Sequence, residues 1–284
     1  MSINQIGLEI RDNVEKYQQK NAIHYKDTST NKWVGISWDS FGNRIQQVSK
    51  ALIKVGIKPQ QNVAVFAQNM PEWIIADMGI MSIRAVTVPV YATNSKNETE
   101  YIINDAEVSL IFVGEQEEYD KAYEISKTNK YLKLIVALTS TVKFKDTNNA
   151  VYFSDFIQQD FDESIEIERQ KREYELALKD LASIIYTSGT TGEPKGVMLD
   201  HSNFSTSLQA HEYELDVDAK DSSLSFLPLS HIYERSWVFF CLYVGIEVYF
   251  NQDPKQIAEV LKEVKPTVMC TVPRIFEKIF SAIQ

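Results

Sequence analysis

Four hydroxyls, three glycines and one lysine fall within the ten residues 187–196, which read Thr-Ser-Gly-Thr-Thr-Gly-Glu-Pro-Lys-Gly. Each of these residue types suits an anion. Gly189, Gly192 and Gly196 let the backbone come close to a ligand and reach φ > 0 without steric cost. Successive N–H groups in such a turn form a concave nest for negative charge. The hydroxyls of Thr187, Ser188, Thr190 and Thr191 add donors or a metal ligand, and Lys195 brings a mobile positive charge; Glu193 and Pro194 belong to the same expected binding stretch. In chemical terms the stretch is a phosphate cradle.

It departs from the nucleotide P-loop, which places Ser or Thr directly after its Gly-Lys pair to hold magnesium. Here the order is Pro194-Lys195-Gly196, and Val197 follows. A kinase glycine loop does not fit either, because no Gly-x-Gly-x-x-Gly occurs at this place. A plain hairpin whose hydroxyls serve only as turn formers is the structural alternative. An isolated Gly-Thr-Thr-Gly would leave the two readings level. The whole stretch, with Lys195 three residues beyond Gly192, favours the phosphate.

The segment 186–199 closely resembles the phosphate-binding signature of the adenylate-forming superfamily of acyl-CoA synthetases, luciferases and peptide-synthetase adenylation domains. Residues 67–73 (Ala-Gln-Asn-Met-Pro-Glu-Trp) and 85–94 (Ala-Val-Thr-Val-Pro-Val-Tyr-Ala-Thr-Asn) look like parts of long-chain acyl-CoA synthetases. So do 227–235 (Leu-Pro-Leu-Ser-His-Ile-Tyr-Glu-Arg) and 272–278 (Val-Pro-Arg-Ile-Phe-Glu-Lys). The resemblance runs over nearly all of the chain. It implies a ligase that uses ATP, Mg2+ and coenzyme A to convert a long-chain fatty acid to its acyl-adenylate and then its acyl-CoA. It further implies that Thr187 is a magnesium ligand, that Lys195 contacts phosphate, and that His231 borders the acyl pocket and the reacting carboxylate, orienting it without acid–base work. The register offers Glu234 and Arg235 where some relatives carry an aromatic gate, so no gate is assigned. The family's adenine-binding stretch, its ribose-binding aspartate, its second magnesium carboxylate and its C-terminal lysine have no counterpart. The chain is therefore expected to correspond to the N-terminal portion of a synthetase, without turnover on its own. Two other readings stand beside this one: an aryl- or amino-acid adenylation domain, and a non-catalytic phosphate-binding module on the same fold.

The elements that must position these residues follow from periodicity. Segments 22–26 and 33–37 flank a polar turn as a hairpin. Phe41, Ile45, Val48, Leu52 and Val55 recur at steps of four and three, the mark of an amphipathic helix, and Gly56 stands at its expected end. Short β-branched runs at 63–66, 86–90, 108–113 and 134–138 then alternate with helical runs at 71–83, 98–105 and 117–127, which implies parallel strands joined by right-handed crossovers. After a polar, charge-rich connector over about 139–181, with a helix over 165–178, the alternation resumes. Strands are expected at 183–186, 197–199, 223–226, 247–250 and 267–271, and helices from 202, over 233–244 and 254–264, and from 273. The predicted fold is α/β: a first parallel-sheet lobe over 1–181 with its connector, then a second lobe over 182–284 that carries the phosphate loop and is truncated.

Composition narrows the partners. With 44% hydrophobic residues in 284 there is ample material for a core. A net charge of −10 excludes a surface that binds nucleic acid non-specifically, so any phosphate site rests on local features. Cys241 and Cys270 lie far apart in apolar surroundings, without metal-ligand spacing, and are expected as buried thiols in a reducing cytosol. No secretory signal is visible at the start. The most apolar run, 237–250, contains Glu247 and is shorter than the about 20 residues of a spanning helix, so it reads as a core helix followed by a core strand. Peripheral contact with a membrane is left open. His24, His201 and His211 read as surface or turn residues, His201 as a cap for the helix after the loop.

Overall fold

The computed structural model describes residues 6–27, 29–187 and 193–283. The chain opens with α1 (Ile6–Tyr17) and the antiparallel hairpin of β1 (Asn21–Asp27) and β2 (Lys32–Ser37). Helix α2 (Trp38–Lys54) begins where the Ser37 side chain accepts a hydrogen bond from the Ser40 N–H, and ends before Gly56, whose φ of +88° suits only glycine. There follow β3 (Asn62–Phe66), α3 (Pro71–Ser82), β4 (Val86–Val90), α4 (Lys96–Asp105), β5 (Leu110–Val113), α5 (Gln116–Ser126) and β6 (Leu134–Ala137). The strands β4 and β5 are wholly buried, which explains why β5 reads as an unbroken apolar run and β4 carries no charge, with Thr87 its one polar side chain.

The connector does more than the sequence suggested. Within it β7 (Ala150–Tyr152) pairs in parallel with β6, and α6 (Phe153–Ile157) buries Phe153 and Phe156 against Phe112, ring centroids 6.2 and 5.9 Å apart. Two aromatic anchors in a polar stretch leave little trace in its average composition. Its long helix, α7 (Glu163–Glu175), begins and ends earlier than expected, because Asp162 caps it by accepting from the Ile165 N–H.

The remaining elements are β8 (Leu181–Thr187), β9 (Lys195–Asp200), α8 (His201–Glu214), β10 (Ser222–Ser225), α9 (Ile232–Val244), β11 (Glu247–Phe250), α10 (Ile257–Val264) behind a 3-10 turn, and α11 (Pro273–Ile283). The strand expected at 267–271 is reduced to one parallel bridge, Ser223 to Val268.

Two sheets result, a mixed α/β architecture dominated by parallel pairs. One has the order β7-β6-β5-β3-β4-β8-β9, the other β10-β11-β1-β2. Only β9 and β2 run antiparallel to their neighbours. The sheets draw strands from both sides of residue 181: the β8–β9 hairpin completes the first sheet, and the N-terminal hairpin completes the second. Helix α9 joins them, since its buried face touches β8 through Arg235 and β10 through Trp237. Among the described residues no helix is long and apolar enough to cross a membrane.

Candidate functional site

The hairpin β8–β9 carries the phosphate motif on a firmly held base. Thr87 of β4 pairs with Ser183, whose hydroxyl donates to the Thr87 carbonyl at 2.7 Å. The guanidinium of Arg84 holds the carboxylate of Asp180 just before β8, and Lys179 reaches Asp200 at the end of β9, at 3.0 Å. The Tyr186 hydroxyl donates to Asp105 of α4, and burial together with that carboxylate raises the phenol well above its usual range. A β-carbon on Gly196 would come within 2.8 Å of the Ile184 side chain and 3.2 Å of the Tyr186 ring, so this position needs glycine to keep the strands in register.

Beyond this base the strands open to solvent. Thr187 and Lys195 are cross-strand partners, and both are exposed, as are Glu193 and Gly196. Among the described residues Lys195 makes no ion pair. Ser188, Gly189, Thr190, Thr191 and Gly192 lie outside the described residues. A hydroxyl and a free ammonium thus stand side by side at the mouth of the turn. That donor set fits a polyanion. Among the described residues no three His, Cys, Asp or Glu cluster to hold a metal, so a magnesium ion at Thr187 would take most of its ligands from phosphate and water, its usual habit.

His231 stands on a different element. It is exposed at the N-cap of α9, where its Nδ1 accepts from the Tyr233 N–H at 3.2 Å. This leaves Nε2 to carry the ring hydrogen. The loop before it, 226–231, is clamped from outside by buried Asn69, whose amide donates to the Leu227 carbonyl at 2.7 Å while its oxygen accepts from the Leu229 N–H at 3.0 Å. Two of the stretches that carry the resemblance, 67–73 and 227–235, therefore touch in space.

Behind His231, α9 is tied to the hairpin's own strand. Arg235 is wholly buried and grips Asp77 of α3 with two bonds, 2.8 and 2.6 Å, while a third goes to the Ser183 hydroxyl at 2.7 Å. Its guanidinium carbon lies 5.3–5.7 Å from the ring centroids of Trp73, Phe204 and Phe239. Arg235 is a core fastener and gates nothing. Sequence reasoning gave no role to Asn69, Asp77, Ser183 or Arg235. The signal was there: Asp77 and Arg235 are charges of opposite sign set in two helices that are largely apolar beyond a first-turn glutamate, a pattern that demands a buried partner.

His201 corrects its expected role. Asp200 and Asn203 form the cap of α8, whereas His201 is buried with neither ring nitrogen bonded, and burial pushes it down to about 4. His24 is also buried, 3.1 Å from Glu247 and stacked on Tyr249. Cys241 and Cys270 are buried free thiols, as expected.

Residues 10–284 match the family pattern described as AMP-binding enzyme, and the chain belongs to that family. It is 30% identical to long chain acyl-CoA synthetase 4 of Arabidopsis thaliana, over 96% of this chain and 42% of the relative. It is 32% identical to long-chain-fatty-acid–CoA ligase 1 of Homo sapiens, over 87% and 37%. The chain thus spans about two fifths of the length of the curated relatives it matches. Among solved structures it is similar to the coronafacic acid ligase of Pectobacterium brasiliense, with TM-score 0.83 at 19% identity over 98% of this chain and 52% of that one. A red-emitting luciferase of Phrixothrix hirtus gives 0.79 at 18% identity, over 95% and 51%. At these identities the structural likeness shows the fold.

Proposed function

We propose that this chain supplies the triphosphate-gripping part of a ligase that activates a long-chain fatty acid with ATP and passes the acyl group to coenzyme A. The observation that carries the reading is the exposed pair Thr187 and Lys195, held side by side at the mouth of a hairpin whose base is locked from three sides. The acid class is supported by the relatives named as acyl-CoA synthetases and ligases in plant and human.

The chemistry asks little of general bases. A carboxylate is already ionised at neutral pH and can attack the α-phosphorus of ATP directly, with pyrophosphate leaving; the coenzyme A thiol then displaces AMP. Placement and charge neutralisation are what lower such barriers. Lys195 would offset charge on the departing phosphates, and the Thr187 hydroxyl would hold the magnesium that neutralises the rest. His231, fixed by the α9 cap and the Asn69 clamp, would orient the acid.

The test has two arms. Titration calorimetry with Mg·ATP on this chain should show binding weakened about tenfold or more by Lys195→Ala, about 1.4 kcal/mol or more, with the unfolding midpoint unchanged. Equal affinity in the variant would sink the reading of the hairpin. ATP–pyrophosphate exchange with a panel of acids, run on the full-length protein, addresses the substrate: exchange driven by aryl or amino acids and not by long-chain fatty acids would overturn the acyl class.

A further inference from the structure

Glu234 is the third residue of α9 and is wholly buried. Neither carboxyl oxygen has a hydrogen-bond partner among the described residues. The Ser225 hydroxyl and the Phe226 N–H, at the end of β10, are the polar groups that face it. Among the described residues no cation pairs with it: the neighbouring Arg235 is taken up by Asp77 and Ser183. An isolated carboxylate in such surroundings costs far more than a neutral acid.

The position matters because of what it encloses. Ser225 immediately precedes the loop 226–231, and Glu234 follows His231 by three residues. Ser225 also receives the Asn69 amide at 3.4 Å, and that same amide bonds the Leu227 carbonyl. Asn69, Ser225 and Glu234 therefore bracket the His231 loop, Asn69 from outside and Glu234 from within the first turn of the helix. A charge on Glu234 would push this turn off β10.

We propose that Glu234 is a positioning residue that works as a neutral carboxylic acid, docking the first turn of α9 on Ser225 and so fixing where His231 stands. Burial raises the group to about 8, so the neutral form persists through neutral pH and is lost above it. The other titratable groups that face it are Tyr233 and Cys241 on its own helix and Cys270 on the run beside β10. All three are shifted upward, Cys270 to about 12, and none titrates in the same range.

The docking itself does not depend on the proposed ligase activity; only the consequence for the acid substrate rests on that reading. The experiment is heteronuclear NMR of the backbone of Phe226, Leu227 and Leu229, which carry no titrating side chain, from pH 6 to 9.5. In the wild-type chain these backbone signals should move together in one step with a midpoint near 8. Glu234→Gln, a neutral isostere, should match the low-pH wild type and stay flat throughout. Glu234→Ala, where it folds, should displace the signals at every pH. The proposal fails if Glu234→Gln keeps the alkaline step, or if the wild type shows none. In parallel, in a protein that carries this chain together with the family's C-terminal parts, the KM for the fatty acid in acyl-CoA formation should rise above pH 8 with the wild-type sequence and not with Glu234→Gln, with kcat little changed. An NMR result as expected with no such KM effect would count against His231 as an acid-orienting residue and leave the docking role standing.

Discussion

Arg235 and Glu234 are neighbours in the chain and both are wholly buried, yet α9 treats them in opposite ways. On the flank facing α3 and β8, Arg235 keeps its charge because a carboxylate, a hydroxyl and three aromatic rings surround it. On the flank facing β10, Glu234 meets one hydroxyl, one N–H and two thiols, and survives by being neutral. A helix that must touch two sheets is thus fastened to one by a salt bridge and to the other by an uncharged acid. The second fastening responds to pH, because burial raises the Glu234 carboxyl to about 8.

The largest effect should come from breaking the charged side. Asp77→Ala leaves a buried guanidinium with no counter-ion and should lower unfolding stability by about 3–5 kcal/mol, read by denaturant titration. The double change Asp77→Leu with Arg235→Met removes both charges and should recover most of that loss. A double variant as unstable as the single one would mean that packing of the two side chains, and not the unpaired charge, dominates this flank.

The pH dependence sharpens the contrast. An ordinary glutamate near 4.5 is raised here to about 8, so the unfolded chain gives up its proton first. Glu234 therefore stabilises fully below about 4.5, and its contribution falls by about 1.4 kcal/mol per pH unit until about 8. His201 runs the other way. Its ordinary value of 6.5 drops to about 4, so its contribution is complete above 6.5 and is lost as pH falls toward 4. Between about 4.5 and 6.5 the two slopes cancel; from 6.5 to 8 the Glu234 slope stands alone. Stability of Glu234→Gln minus wild type should rise with pH across 4.5–8, by about 2 kcal/mol over its last 1.5 units. His201→Phe minus wild type should rise as pH falls from 6.5 to 4. Flat difference curves would mean that neither group is as desolvated as it looks.

How legible was this in the sequence? The strand–helix alternation and most element boundaries followed from periodicity, because parallel strands buried on both faces leave continuous β-branched runs. The candidate hairpin stood out because glycine, hydroxyl and lysine have few structural reasons to share ten residues. What stayed hidden was long-range: that β8 returns to lie beside β4, that β1 joins β11, and that Asn69 reaches across to residues 227–229. Such pairings depend on how separate segments meet, and periodicity speaks only of each segment alone. The aromatic anchors Phe153 and Phe156 were lost in a polar average for the same reason. His201 was misjudged because a histidine beside Asp200 looks like a cap, whereas the aspartate had already taken that place.

The smallest effect concerns the hairpin, where a single hydrogen bond is set against the ion pair that fastens α9. Tyr186 precedes Thr187, and its hydroxyl ties the end of β8 to Asp105. Tyr186→Phe keeps the ring against Gly196 and removes only that bond, so the stability loss should be about 1.5 kcal/mol, the low end for a hydrogen bond to a carboxylate that water also reaches. Its value lies in what it separates. If the strand end is held mainly by the ring and by Ser183 beneath it, Mg·ATP affinity should match the wild type despite the small loss in stability. If the Asp105 tether sets the spacing of Thr187 and Lys195, affinity should fall several-fold at the same stability cost. The ring packs edge-on to Tyr101, centroids 6.4 Å apart, and Ser183 is bonded from both β4 and α9, so the first outcome is expected.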